Sequence, residues 1–168
     1  LSSLDLGGNQ ISNLSALADL TNLTGLALNG NQISDISAVA ELTNLIILDL
    51  DDNQIETLDF SNADLSYLQF FTVVNNPLAS VILDNVTLDQ DVFTALIGAG
   101  SHGIADNPGV SSLSMSGVDF SSIPNLAAMY SMDDIETLLL DRATGLDGAQ
   151  VVTLTTELDS LNWLDVAG

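Results

Sequence analysis

The chain repeats itself. Residues 1–22, LSSLDLGGNQISNLSALADLTN, return as residues 23–44, LTGLALNGNQISDISAVAELTN, which sets a period of 22 residues. Apolar side chains fall at Leu1, Leu4, Leu6, Ile11, Leu14, Leu17 and Leu20, and again at Leu23, Leu26, Leu28, Ile33, Ile36, Val39 and Leu42. A third copy enters at Leu45 with Leu48, Leu50, Asn53, Ile55 and Leu58 in the same phase. A unit this short buries too little apolar surface to offset the entropy of ordering its backbone, so one copy cannot stand alone. Its stability must come from neighbours stacked on both sides, as in a one-dimensional solenoid.

Within each copy the spacing changes character. The segment Leu-x-x-Leu-x-Leu alternates at period two and reads as a short strand with one buried face. After the Asn the apolar spacing relaxes to three, which suits a helical turn. Asn9, Asn31 and Asn53 occupy one phase of three successive copies, where the chain bends away from the strand. An amide both donates and accepts, so a stack of them can satisfy the peptide groups that the bend leaves unpaired. Identical phase in three copies predicts a ladder rather than three exposed turn residues. On these motifs residues 1–58 resemble leucine-rich repeat proteins, in the 22-residue form typical of internalin-like bacterial surface proteins. The resemblance implies an α/β solenoid with parallel strands on a concave face and short helices or turns on the convex face.

Further along the pattern stretches. Residues 65–88 allow two registers, one starting Leu65, Leu68, Phe70 and one running Leu68, Phe71, Val73, Asn76, Leu78, Val81; the second matches more phased positions and is preferred. Later copies begin at Val110, Ile135 and Leu161. The segment DQDVFTALIG, residues 89–98, predicts a short convex-side helix with acids in its first turn, and a second helix is expected over 149–158. Residues 98–109 are dense in Gly, Asn and Pro and read as a loop. The expected organisation is a single solenoid over 1–168, regular in 1–64, irregular or enlarged in 65–109, and repeating again in 110–168. Because Leu1 already lies inside the pattern, the natural protein is expected to extend in both directions.

Composition sorts the functions this solenoid can serve. One Lys or Arg against 23 Asp and Glu leaves a net charge of −22, a field that repels nucleic acid and anionic membrane surfaces. The 46% hydrophobic content separates the chain from acidic disordered tails. There is no cysteine, hence no disulfide framework and no thiolate chemistry. A surface this acidic favours an external, saline setting. Enzymatic chemistry finds little support. His102 is the single histidine, and although Ser101 and Asp106 flank it, neighbouring residues in a Gly-rich loop seldom hold triad geometry. No Glu pair stands out for glycoside hydrolysis, and LGGNQ and LNGNQ lack the Lys of a phosphate loop.

Oxygen ligands deserve more weight. Asp49, Asp51 and Asp84 form a candidate weak calcium site, although neither acidic run matches a calcium-binding loop; no other cofactor is expected. On a parallel wall, residues between the buried Leu positions face outward. The candidate partner-binding residues of a continuous concave wall are therefore Asp5, Ile47, Asp49, Asp51, Phe70, Thr72, Ser112, Ser114, Thr137, Leu139 and Trp163. The rejected register would instead turn Tyr67, Gln69 and Phe71 outward. Exposed apolar residues beside acids select a basic or cation-bridged partner. The expectation is an extracellular or cell-surface module, not an enzyme, that binds a protein or glycan in adhesion or recognition. The alternative is a rigid acidic spacer that assembles end to end.

Overall fold

The computed structural model describes residues 1–98 and 102–166. Leu-x-x-Leu-x-Leu segments form three-residue strands, with the second Leu of each pointing inward. The first sheet is built from β1 (Ser3–Asp5), β2 (Gly25–Ala27), β3 (Ile47–Asp49) and β5 (Phe70–Thr72), all parallel and adjacent in that order. Leu4, Leu26, Leu48 and Phe71 stand in register along it, so the coils are layered as the repeat predicts. Phe71 is buried and Phe70 is exposed, which settles the register of 65–88 in favour of the alignment starting at Leu68.

A second parallel sheet was not expected. It runs β4 (Thr57–Asp59), β6 (Ser80–Ile82), β7 (Ser112–Ser114), β8 (Thr137–Leu139) and β9 (Trp163–Asp165). Its inward column is Leu58, Val81, Leu113, Leu138 and Leu164. In the first two copies the equivalent stretch is a 3-10 turn, Ser15–Leu17 and Ser37–Val39, with the Asn13 and Asp35 side chains accepting from the backbone N–H of Ser15 and Ser37 at 2.8 and 2.9 Å. In the third copy Thr57 stands where Asn13 and Asp35 hold the turn, and Leu58 and Phe60 alternate at two where Leu14 and Leu17 were spaced at three. Without that Asn or Asp side chain to hold the turn, and with Leu58 and the aromatic Phe60 alternating at period two, the segment extends into a strand.

The strand wall therefore changes sides along the molecule. Coils one and two carry a strand on the first side only, and the two coils entered at Leu45 and Leu68 carry one strand on each side. From Gln90 onward the first side is helical: α1 (Gln90–Ile97), capped by Asp89 accepting from Val92 N–H at 2.9 Å, packs beside β5. The helix predicted over 89–98 thus forms, but it closes the edge of the first sheet rather than lying behind it. The second predicted helix is α2 (Gly148–Glu157), started by a capping box between Asp147 and Gln150. Buried side chains from Leu14 to Leu158 form one apolar cluster. Inside it Phe60 meets Phe71 edge-to-face, with ring centres 6.0 Å apart. Their rings join the inner faces of the two sheets.

Three residues beyond each strand of the first sheet the chain turns through positive φ. Gly8 and Gly30 do so at +67°, the conformation for which glycine carries no Cβ penalty, and Asp52 and Asn75 take the same place in the next two coils. One residue further on stands the amide ladder. Asn53 Nδ2 donates to the carbonyls of Leu28 and Leu50 at 3.0 and 3.1 Å, and its Oδ1 accepts from Ile33 N–H at 3.0 Å. Asn31 and Asn76 repeat this geometry one coil before and one coil after. Asn9, in the first coil, is exposed and bonds only the carbonyls of Leu6 and Gly7 among the described residues.

Candidate partner-binding wall

The two-sheet architecture divides the candidate residues. Asp5, Ile47, Asp49, Asp51, Phe70 and Thr72 lie on or just beyond the first sheet, whereas Ser112, Ser114, Thr137, Leu139 and Trp163 belong to the second. The expected continuous wall is thus two walls. Leu48 and Leu58 of the same coil both point into the core from different sides, so the outer faces of their strands look in different directions. Ser114 is buried, its Oγ donating to Asp84 Oδ1, so it does not present itself to a partner.

On the first sheet the outward rows are Ser3, Gly25, Ile47, Phe70 and Asp5, Ala27, Asp49, Thr72. Ile47 and Phe70 are register partners on neighbouring strands and remain 48% and 61% exposed. Adjacent strands are about 4.8 Å apart, so these two side chains form one apolar patch. Tyr67, 60% exposed, precedes the same strand. The Ser3 and Gly25 side of the row is small and polar, which confines the apolar patch to the two coils that carry strands on both sides.

Beside this patch the carboxylates are braced from within. Asp49 Oδ1 accepts from Thr72 Oγ1 at 3.0 Å and from Asp51 N–H at 3.1 Å. Asp51 Oδ1 accepts from Val74 N–H of the next coil at 2.8 Å, and its Oδ2 lies 3.6 Å from His102 Nδ1. Burial raises the Asp51 pKa above its ordinary value; the Val74 N–H bond opposes this, and the charge of Asp49 adds to it. His102, at φ +65°, closes the end of the first sheet by accepting from Val73 N–H through its carbonyl at 2.9 Å. Its own N–H donates to Asp106, while Ser101 lies outside the described residues.

The calcium candidate does not assemble. Asp84 follows β6 on the second sheet, where Oδ1 accepts from Ser114 Oγ and from Ser116 N–H at 2.9 Å. It holds the next coil there as Asp51 does on the first sheet, and the two carboxylates share no site. Among the described residues no group of three or more His, Cys, Asp or Glu could hold a metal ion.

What sequence reasoning missed on this wall is the helix beside it. Between β5 and α1 runs a cleft of about 380 Å³ lined by Gln69, Phe70, Thr72, Asp91, Thr94 and Ala95. The misplaced helix hid it, since α1 was expected behind the strands.

Residues 1–41 match the family model for leucine-rich repeats in two copies. An internalin, InlF, from Listeria monocytogenes is similar at 24% identity over 99% of this chain and 47% of that one, with a TM-score of 0.43. A leucine-rich repeat protein from Leptospira interrogans is similar at 17% identity over 97% and 48%, with a TM-score of 0.41. The functional domain of InlJ from Listeria monocytogenes, which includes a cysteine ladder, is similar at 21% identity over 100% and 35%, with a TM-score of 0.42. This chain thus spans about half the length of the first two and about a third of the last. A comparison with curated proteins finds no match. The parallel stacking, the short strands and the Asn ladder make the architecture an α/β leucine-rich repeat solenoid.

Proposed function

We propose that the outer face of the first sheet is a recognition surface for a protein or glycan at or outside the cell surface. The observation that carries this reading is the Ile47–Phe70 pair, two large apolar side chains held side by side in register and left exposed on a wall otherwise made of small and acidic residues. Strand-borne side chains with braced neighbours are pre-organised, so a partner orders little on binding. The acidic charge fits an external setting, and among the described residues no helix is long and apolar enough to cross a membrane.

The test compares capture by the immobilised chain with capture by Ile47→Ala, Phe70→Ala and Leu139→Ala, against extracellular protein fractions and an array of glycans. Ligands lost with the first two substitutions and retained by Leu139→Ala support the first sheet. Equal retention by all four chains removes it. A second reading, end-to-end assembly, rests on Trp163 and Val166, which are both exposed in the last coil. Sedimentation equilibrium of wild type and Trp163→Ser decides it: an oligomer abolished by the substitution supports assembly, and a monomer in both cases refutes it.

A further inference from the structure

The cleft between β5 and α1 exists because a helix follows a strand on the same side of the solenoid. Strands stack about 4.8 Å apart, whereas a helix with its side chains is about 10 Å across, so α1 cannot follow β5 as closely as β5 follows β3. The step leaves a groove along the last strand of the first sheet. Phe70 forms one wall, Thr94 and Ala95 of α1 form the other, and Gln69, Thr72 and Asp91 supply polar groups. The groove continues past Gln69 and Asp91 toward Ser66, Asp89 and Val92.

We infer that this groove takes an arginine side chain of the partner, a reading that rests on the recognition surface proposed above. The chain has one Lys or Arg in all, Arg142, which bonds Asp141 rather than a carboxylate of this wall, and the one histidine, His102, lies against Asp51, so a fixed positive charge in this groove must come from the partner. Asp91 is exposed, and its side chain makes no hydrogen bond among the described residues, unlike Asp49, Asp51 and Asp89, whose carboxylates hold backbone or hydroxyl groups. It is the carboxylate at this wall with its oxygens free. A phenyl ring and an unoccupied carboxylate lining the same groove suit guanidinium better than ammonium. Guanidinium is planar, stacks on aromatic faces, is weakly hydrated and can meet a carboxylate with two parallel N–H bonds. The groove adjoins Ile47, so the recognised segment carries an apolar residue next to the arginine.

The experiment titrates the isotopically labelled chain with acetylated, amidated Gly-Arg-Gly, and with the same peptide carrying Lys or citrulline, while backbone amide resonances are followed by NMR. Phe70, Thr72, Asp91 and Thr94 should shift with the Arg peptide and not with citrulline. Asp91→Asn should weaken the Arg peptide about fivefold, the scale of one well-formed and partly screened ion pair. Asp133→Asn, in the separate acidic hollow lined by Ile104, Asn107 and Met132, should leave it unchanged. An equal response to Lys and Arg, or to the two Asn variants, would mean diffuse attraction by the acidic surface and overturns the inference. Partner capture lost in Ile47→Ala but kept in Asp91→Asn would remove the arginine groove and leave the recognition wall standing. Both substituted acids are exposed, so folding is expected to survive and is checked by circular dichroism.

Discussion

Replacing Asn53 by Ala tests whether the coils are held together through their amide ladder. Asn53 is 7% exposed, and its side chain serves backbone groups of two successive coils. Truncation leaves the buried N–H of Ile33 without its acceptor, a loss of about 1–3 kcal/mol. Leu28 O and Leu50 O fare better, because each keeps one donor, from Asn31 and Asn76 respectively. Losing a second bond at a carbonyl that keeps its first adds about 0.5 kcal/mol each. Together the change should cost about 2–4 kcal/mol, read as a shift in urea unfolding followed by circular dichroism. Asn9→Ala, at the same phase but exposed and, among the described residues, bonded only to carbonyls of its own coil, should cost no more than about 0.5 kcal/mol. Asn53→Asp sharpens the test. A carboxylate can still accept from Ile33 N–H but faces two carbonyl oxygens in a buried place, which raises its pKa above the unfolded value. Its destabilisation relative to wild type should therefore be greatest near neutrality and shrink as pH falls through the raised pKa, where the protonated form can donate. Equal costs for Asn9→Ala and Asn53→Ala, or an Asn53→Asp penalty that does not change with pH, would refute the reasoning.

Two further outcomes follow from the same structure. Phe60→Ala removes a fully buried ring that packs on Phe71 between the two sheets and should cost about 3–5 kcal/mol, more than Leu17→Ala on the first 3-10 turn; comparable unfolding midpoints for the two variants would contradict this. Asp35 is held below its ordinary value of 3.8 by the N–H and then the hydroxyl of Ser37, Asp64 by the hydroxyl and then the N–H of Ser66, and Asp119 by the N–H and then the hydroxyl of Ser121. Depressed carboxylates contribute stability that is present above the unfolded value and lost as pH falls through their lower folded values. Asp51 runs the other way: its raised pKa weakens the fold at neutrality and relaxes on acidification, as does the repulsion of a −22 chain. Melting temperature should thus rise from neutrality toward about pH 4 and then fall, and a steady decline from neutrality downward would count against the assignment.

Much of the fold was legible in the repeat. The inward Leu column, the strand register through Phe71 and the ladder at Asn31 and Asn53 follow from phase and residue type, because stacking forces equivalent residues into equivalent places, whereas Asn9 shares the phase but bonds only its own coil. The second sheet was also written in the chain. IETLDF at 55–60 and LASVIL at 78–83 repeat the strand motif ten residues after LIILDL and LQFFTV, although phase with the first two copies assigns them to the helical side. Trp163 and Leu139, which share the phase of Ile47 and Asp49, therefore stand on a different wall, and Asp84 stands apart from Asp51.

By itself the sequence determined that successive coils must stack and which side chains they bury, since a 22-residue unit has no other way to remove its leucines from water. Only the tertiary structure decided on which side of the stack each strand lies. That choice depends on which neighbouring coil offers a strand edge to pair with: β7 met β6 and joined the second sheet, while α1 came to rest against β5 and opened the groove beside Phe70. A backbone edge pairs with whatever edge reaches it, and a single coil's side-chain pattern does not specify which one that will be.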